Sequence, residues 1–250
     1  MPELPFGYGL FAVLAATVVA GYFIFAITGF GAALITVPVM SHFLPLPFVL
    51  PLAVLLDVSA SLVVGVRFHR TADWRELRWM VPACLVGALI GVNLLVTLPR
   101  EAALAGLGAC AIAYGVYSLR EGAAMRRVGM AWAPVSGFAG GTLGTLFGIG
   151  APPYAMYLSR RIEDKIAMRA TLSTMVLFST GIRLTVFTFA GLVLADRLFA
   201  FVLLFPFALA GLSIGNRLHL RMSREKVLVA ISVLLIATGA SLLVRALAQP

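Results

Sequence analysis

Residues 29–40 read GFGAALITVPVM and residues 148–158 read GIGAPPYAMYL. In each, two glycines one residue apart interrupt a long apolar run, and proline follows: Pro38 in the first, Pro152 and Pro153 in the second. Gly140, Gly141 and Gly144 add to the second interruption. Glycine and proline weaken a helix interior by about 1 and 3 kcal/mol. In lipid such a break is tolerated only where protein or an aqueous cavity satisfies the freed backbone groups. The apolar stretches around 6–43 and 130–159 therefore read as broken or re-entrant helices.

The rest of the chain agrees with a membrane setting. Of 250 residues, 61% are hydrophobic and 12% charged, and mean hydropathy is +1.03. Soluble domains carry roughly 25% charged residues, so a soluble enzyme, a disordered regulator and a disulfide scaffold are excluded. Uninterrupted apolar segments of spanning length lie near 48–66, 79–97, 102–119, 166–188, 198–216 and 226–246. The net charge of +9 does not point to nucleic acid, because the basic residues sit in short loops between apolar runs. Cys84 and Cys110 lie within apolar segments without metal-ligand spacing and are expected to be small buried hydrophobes. His42, His69 and His219 are too dispersed for a metal site. The amino terminus lacks a positive n-region, so it reads as retained in the mature protein.

Loop charge decides between topologies. With eight full spans, the arginine-rich loops of the two halves fall on opposite sides. With both glycine-broken stretches entering and leaving on one side, fifteen basic residues share one face and only Arg100, Arg197 and Arg245 lie on the other. The positive-inside rule then favours two re-entrant hairpins, six full spans, cytoplasmic arginine-rich loops and both termini outside. Residues 6–27 alone are long enough to cross, so eight spans stays the competing count.

The chain also repeats. PACLVGALIGVNL at 82–94 and PFALAGLSIGNRL at 206–218 share six of 13 positions, and the glycine motif recurs at an offset of 119. The expected fold is an all-α polytopic membrane protein with two repeats, 1–125 and 126–250. Each is one broken hairpin plus three transmembrane helices. Three crossings are odd, so the second repeat is inverted, the arrangement of many secondary transporters. The paired Gly87, Gly91, Gly211 and Gly215 suit close helix packing.

A broken helix presents unpaired N–H groups at its N-terminal end, and these with the helix dipole favour an anion. The expected substrate contacts are Thr28, Gly29, Gly31 and Ala32 at the first break, and Gly148, Gly150 and Ala151 at the second. Ser173, Thr174 and Arg183 join them from a later span. Thr36, Ser59 and Ser61 offer further hydroxyls, each also able to bond back to its own helix. Asp57 is the one acid well inside a span. A charge there needs a partner, a cavity or a proton, which assigns it to coupling or the pathway. Arg183 is its natural partner, unless it snorkels to the nearby helix end.

The two glycine motifs, the acid in the following span and the paired Pro…Gly-xxx-Gly segments together resemble the sulfite exporter TauE/SafE family of membrane transporters across essentially the whole chain. The resemblance implies export of a small anion, especially a sulfur oxyanion such as sulfite or an organosulfonate. Family members often carry a longer glycine run where Ala32-Ala33 and Ala151-Pro152 stand here, which bears on the substrate more than on the fold. No HExxH, GxGD, GxSG or Walker A pattern is present, so no catalytic residue, cofactor or metal is expected. A passive anion channel, or a non-catalytic membrane subunit of a larger assembly, is the alternative. The expected setting is a bacterial inner membrane, with the lipid bilayer and a small anion as partners. Protons and a second copy of the chain are optional ones.

Overall fold

The computed structural model describes residues 7–28, 31–65, 71–120, 128–218 and 224–248. Among these the regular elements are ten α-helices. The first five are α1 (Tyr8–Thr28), α2 (Ala32–Met40), α3 (Leu46–Gly65), α4 (Trp74–Thr97) and α5 (Arg100–Arg120). The others are α6 (Trp132–Phe147), α7 (Ala151–Arg161), α8 (Lys165–Phe189), α9 (Ala195–Leu218) and α10 (Arg224–Ala248). The six uninterrupted segments correspond to α3, α4, α5, α8, α9 and α10. Both glycine-rich stretches are broken at their Gly-x-Gly motifs, between α1 and α2 and between α6 and α7, whereas Gly140, Gly141 and Gly144, expected to add to the second break, lie inside α6.

The glycines make the breaks. Gly148 has φ +76° and closes α6: its N–H bonds Gly144 O, while Ile149 N–H reaches Leu143 O. That is the left-handed helix stop that lacks steric cost only in glycine. Gly31, at φ +101°, starts α2. The prolines were expected to help interrupt, and they do not. Pro38 lies inside α2, and Pro152 and Pro153 occupy the first turn of α7, where a missing N–H breaks no intrahelical bond.

After each break the chain packs back on itself. A Cβ on Gly21 of α1 would stand 2.6 Å from Thr36 and 3.1 Å from Ala32 O, both on α2. On the other side, Ser136 Oγ of α6 donates to Pro153 O of α7 at 2.9 Å. As the length of residues 6–27 allows, the 21 residues of α1 extend about 31 Å, enough to cross unaided, whereas the 16 residues of α6 extend about 24 Å. By length and apolarity the candidate spans among the described residues are α1, α4, α5, α8 and α9. In α3 and α10 the described apolar stretches are shorter, Leu46–Ser61 and Ser232–Leu247.

Packing follows the small residues. α4 lies along α6, α1 along α9, and α5 along α10. The paired glycines of 82–94 and 206–218 form the first two contacts. A Cβ on Gly87 would stand 2.3 Å from Phe138 O of α6, and one on Gly211 2.5 Å from Val19 O of α1. Lipid supplies no hydrophobic drive between helices, so close backbone approach through small residues carries the association. The centre is apolar: α2 is buried along nearly its whole length, and Val49, Leu50, Leu52 and Val54 of α3 are inaccessible. Conversely, Val86 and Leu89 of α4, Val202 of α9 and Val244 of α10 are exposed. Apolar outer helix faces are what a lipid solvent requires.

Candidate functional site

The two breaks meet. Gly31 from the first, and Gly148, Gly150 and Ala151 from the second, line a single cavity of about 40 Å³, room for a few water molecules. The approach is direct: a Cβ on Gly148 would lie 2.8 Å from Val37 and 3.5 Å from Ala33 of α2. α3 adds Asp57 and Ser61 to the lining, α7 adds Tyr154, and α8 adds Val176, Ser179, Thr180 and Arg183. The α8 residues recur at three- and four-residue intervals and therefore share one helix face.

Arg183 is the dominant group. It is 5% exposed, so it does not snorkel. Its Nε and Nη2 are buried without a hydrogen-bond partner. A buried guanidinium left unsatisfied is costly, and one that faces a cavity is poised for an oxygen ligand. Asp57, also buried, lines the same cavity, and its Oδ1 accepts from Tyr22 Oη of α1 at 2.7 Å. Asp57 and Arg183 are thus brought to one cavity, yet the two unpartnered nitrogens are not engaged by the carboxylate.

The wall around Arg183 is fixed by a small network. Tyr154 Oη lies 3.0 Å from Ser179 Oγ and 3.2 Å from Cys84 Sγ of α4, and Cys84 Sγ donates to Ser179 Oγ at 3.5 Å. Cys84 is buried as expected, but it also acts as a hydrogen-bonding group.

Several expected contacts lie elsewhere. Thr174 is nine residues from Arg183, two and a half turns, which puts it on the opposite side of α8. Its hydroxyl bonds back to Ala170 O at 2.8 Å. Ser173 lies one turn before Val176, off the cavity lining. Ala32 is buried beside the lining residues Gly31 and Ala33 without lining the cavity itself. Thr36 and Ser59 bond back to their own helices at 3.1 and 2.9 Å. Gly150 has ordinary helical φ of −86°; it is small because Gly140 O and Gly144 of α6 press on it. The Thr28 side chain and Gly29 lie outside the described residues. Tyr22, Tyr154, Ser179 and Thr180 went unread. The last two were findable, standing one helical turn before Arg183.

With this geometry in place, similarity to known proteins can be read. Residues 13–242 match the family model for Sulfite exporter TauE/SafE. The chain belongs to that family. A similar protein is the "Probable inner membrane transporter protein TsaS" of Comamonas testosteroni, 32% identical over 195 residues that cover 76% of this chain and 81% of the relative. No solved structure matches. Membership of the TauE/SafE family makes the chain a membrane transporter homologue, in agreement with the expectation of a non-enzyme. Among the described residues no His, Cys, Asp and Glu cluster is arranged to hold a metal ion.

A second polar cluster marks the arginine-rich end of this TauE/SafE protein. Glu76, in the first turn of α4, is 2% exposed. It accepts a short hydrogen bond from Tyr157 Oη of α7 and one from Arg161 Nε at 2.8 Å. Although Glu76 sits at a helix end, it is buried and joins the broken helix to its neighbour. Glu76→Ala leaves a buried tyrosine hydroxyl and a half-exposed guanidinium unpaired. The expected cost is about 1–3 kcal/mol, read as a lower unfolding midpoint in detergent. An unchanged midpoint would mean that water serves both groups.

Proposed function

We propose that the protein is a secondary transporter that moves a small anion, a sulfur oxyanion such as sulfite or an organosulfonate, across the bacterial inner membrane by alternating access. The observation that carries this reading is a buried guanidinium with two unpartnered nitrogens, in a cavity where two interrupted helices meet. The anion is held by Arg183, with the N-terminal ends of α2 and α7 on either side. The α2 end is the richer in donors, since Ala32 and Ala33 keep their N–H groups while Pro152 and Pro153 have none.

The same reading takes the molecule as two inverted repeats, 1–125 and 126–250, around this cavity. Exchanging α1–α5 with α6–α10 maps the α4·α6 contact onto α9·α1 and the α2·α3 contact onto α7·α8. α5·α10 and α3·α8 map onto themselves. The Gly-xxx-Gly pairs make the equivalent contacts in both halves. Such a site opens to either side in turn when the halves rock. The fifteen-to-three asymmetry of basic residues supports arginine-rich loops in the cytoplasm.

Proteoliposomes loaded with labelled sulfite test the proposal. The expected result is saturable flux, accelerated by the same anion on the opposite side. Ohmic single-channel current without such exchange would make the protein a channel, and absence of both would remove the transport reading.

A further inference from the structure

Two of the groups that line the cavity, Arg183 and Asp57, have opposite hydrogen-bonding character. Arg183 can only donate, and two of its nitrogens are unpartnered. Asp57, when ionised, can only accept; the Tyr22 hydroxyl donating to its Oδ1 at 2.7 Å suits that state. Among the described residues, the charged and titratable groups that act on Asp57 are Arg183 on α8 and Tyr22 on α1. A fully deprotonated oxyanion seated against Arg183 in so small a space brings its oxygens to a carboxylate that repels them. One hydrogen between the two oxygens turns that repulsion into a charge-assisted hydrogen bond.

Building on the anion-transport reading, we infer that the preferred ligand is an anion that keeps one acidic O–H, recognised by Arg183 at its charged oxygens and by Asp57 at its hydroxyl. The hydrogen forms of polyprotic oxyanions, such as hydrogensulfite or hydrogencarbonate, fit this description. Alkylsulfonates and nitrate do not, although they are of similar size and charge. The loaded cavity thus carries one proton, shared between carboxylate and substrate, and anion and proton cross together. Within the substrate class proposed above, the carboxylate separates hydrogen oxyanions from sulfonates.

Binding to the detergent-purified full chain at neutral pH tests this with two matched pairs, sulfite against methanesulfonate and hydrogencarbonate against nitrate. In each pair the hydroxyl-bearing member is expected to bind at least tenfold more tightly. Asp57→Asn supplies a donor where the carboxylate stood, so methanesulfonate and nitrate should gain affinity and the tenfold preference should vanish. Equal affinities within both pairs in the unsubstituted protein overturn the inference, whether or not the variant folds. So does a preference that Asp57→Asn leaves intact. If no anion binds the unsubstituted protein, the anion-transport reading itself falls, an outcome distinct from binding without preference.

Discussion

Arg183→Met is expected to weaken anion binding at least 100-fold and to abolish flux, while the unfolding midpoint stays unchanged or rises. The two effects have opposite signs for one reason. In the empty protein the guanidinium is buried with Nε and Nη2 unpartnered, so replacing it by an apolar chain of similar length removes a desolvation cost. On the proposed reading, the same nitrogens in the loaded protein donate charge-assisted hydrogen bonds, each contributing about 1.5–3 kcal/mol. Loss of two is worth 100-fold or more in affinity. Arg183→Lys keeps the charge but not the planar fork and should recover only part of the binding. A structural arginine would behave otherwise: Arg183→Met would unfold the protein more readily and leave the affinity of the surviving molecules alone. Thermal unfolding with and without sulfite reads both quantities in one experiment.

Gly141→Val is expected to produce the largest loss of stability. A Cβ at Gly141 would stand 2.3 Å from Cys84 O of α4, well inside van der Waals contact and against backbone, which cannot rotate away. The α4–α6 pair would have to separate by more than an ångström along its length. Overpacking of a core by flexible side chains costs about 1–3 kcal/mol, and a backbone clash belongs at or above the upper end. Gly211→Val, 2.5 Å from Val19 O, should do the same to the α1–α9 pair. Comparable losses from Gly211→Val and from Gly87→Val, its counterpart in the first repeat with a Cβ 2.3 Å from Phe138 O, support equivalent halves. Gly181→Ala is the control, because a Cβ there meets nothing within 4 Å and alanine favours a helix by about 1 kcal/mol over glycine. If Gly141→Val and Gly181→Ala unfold at the same temperature, the close packing of α4 on α6 carries no stability.

The breaks were legible because glycine spacing is a local signal. A left-handed φ at Gly31 and Gly148 is a property of single residues, and it appears wherever the chain is read. Proline was misleading for the complementary reason. Its effect depends on position within the helix, so Pro152 and Pro153 begin α7 rather than interrupt it, and Pro38 lies inside α2. The length of α1 was also readable, since residues 6–27 alone are long enough to cross. Hydroxyl residues gave the weakest guidance. Ser173 and Thr174 were the hydroxyls expected from this span, whereas Ser179 and Thr180 share the helix face of Arg183 and line the cavity.

The amino-acid sequence by itself determined the solvent, the approximate ends of the helices, the sites of interruption, and the presence of Asp57 and Arg183 inside apolar segments. All of these depend on composition and short-range periodicity, which the chain carries whatever its packing. Only the tertiary structure decided that Asp57 and Arg183, 126 residues apart, share one cavity with both breaks. It alone showed that Tyr22 rather than Arg183 donates to the carboxylate, and that Glu76 is buried against α7. Those facts depend on which helix faces turn inward. That choice is made by close backbone contacts between distant segments, such as α4 on α6 and α1 on α9, and local pattern does not encode them.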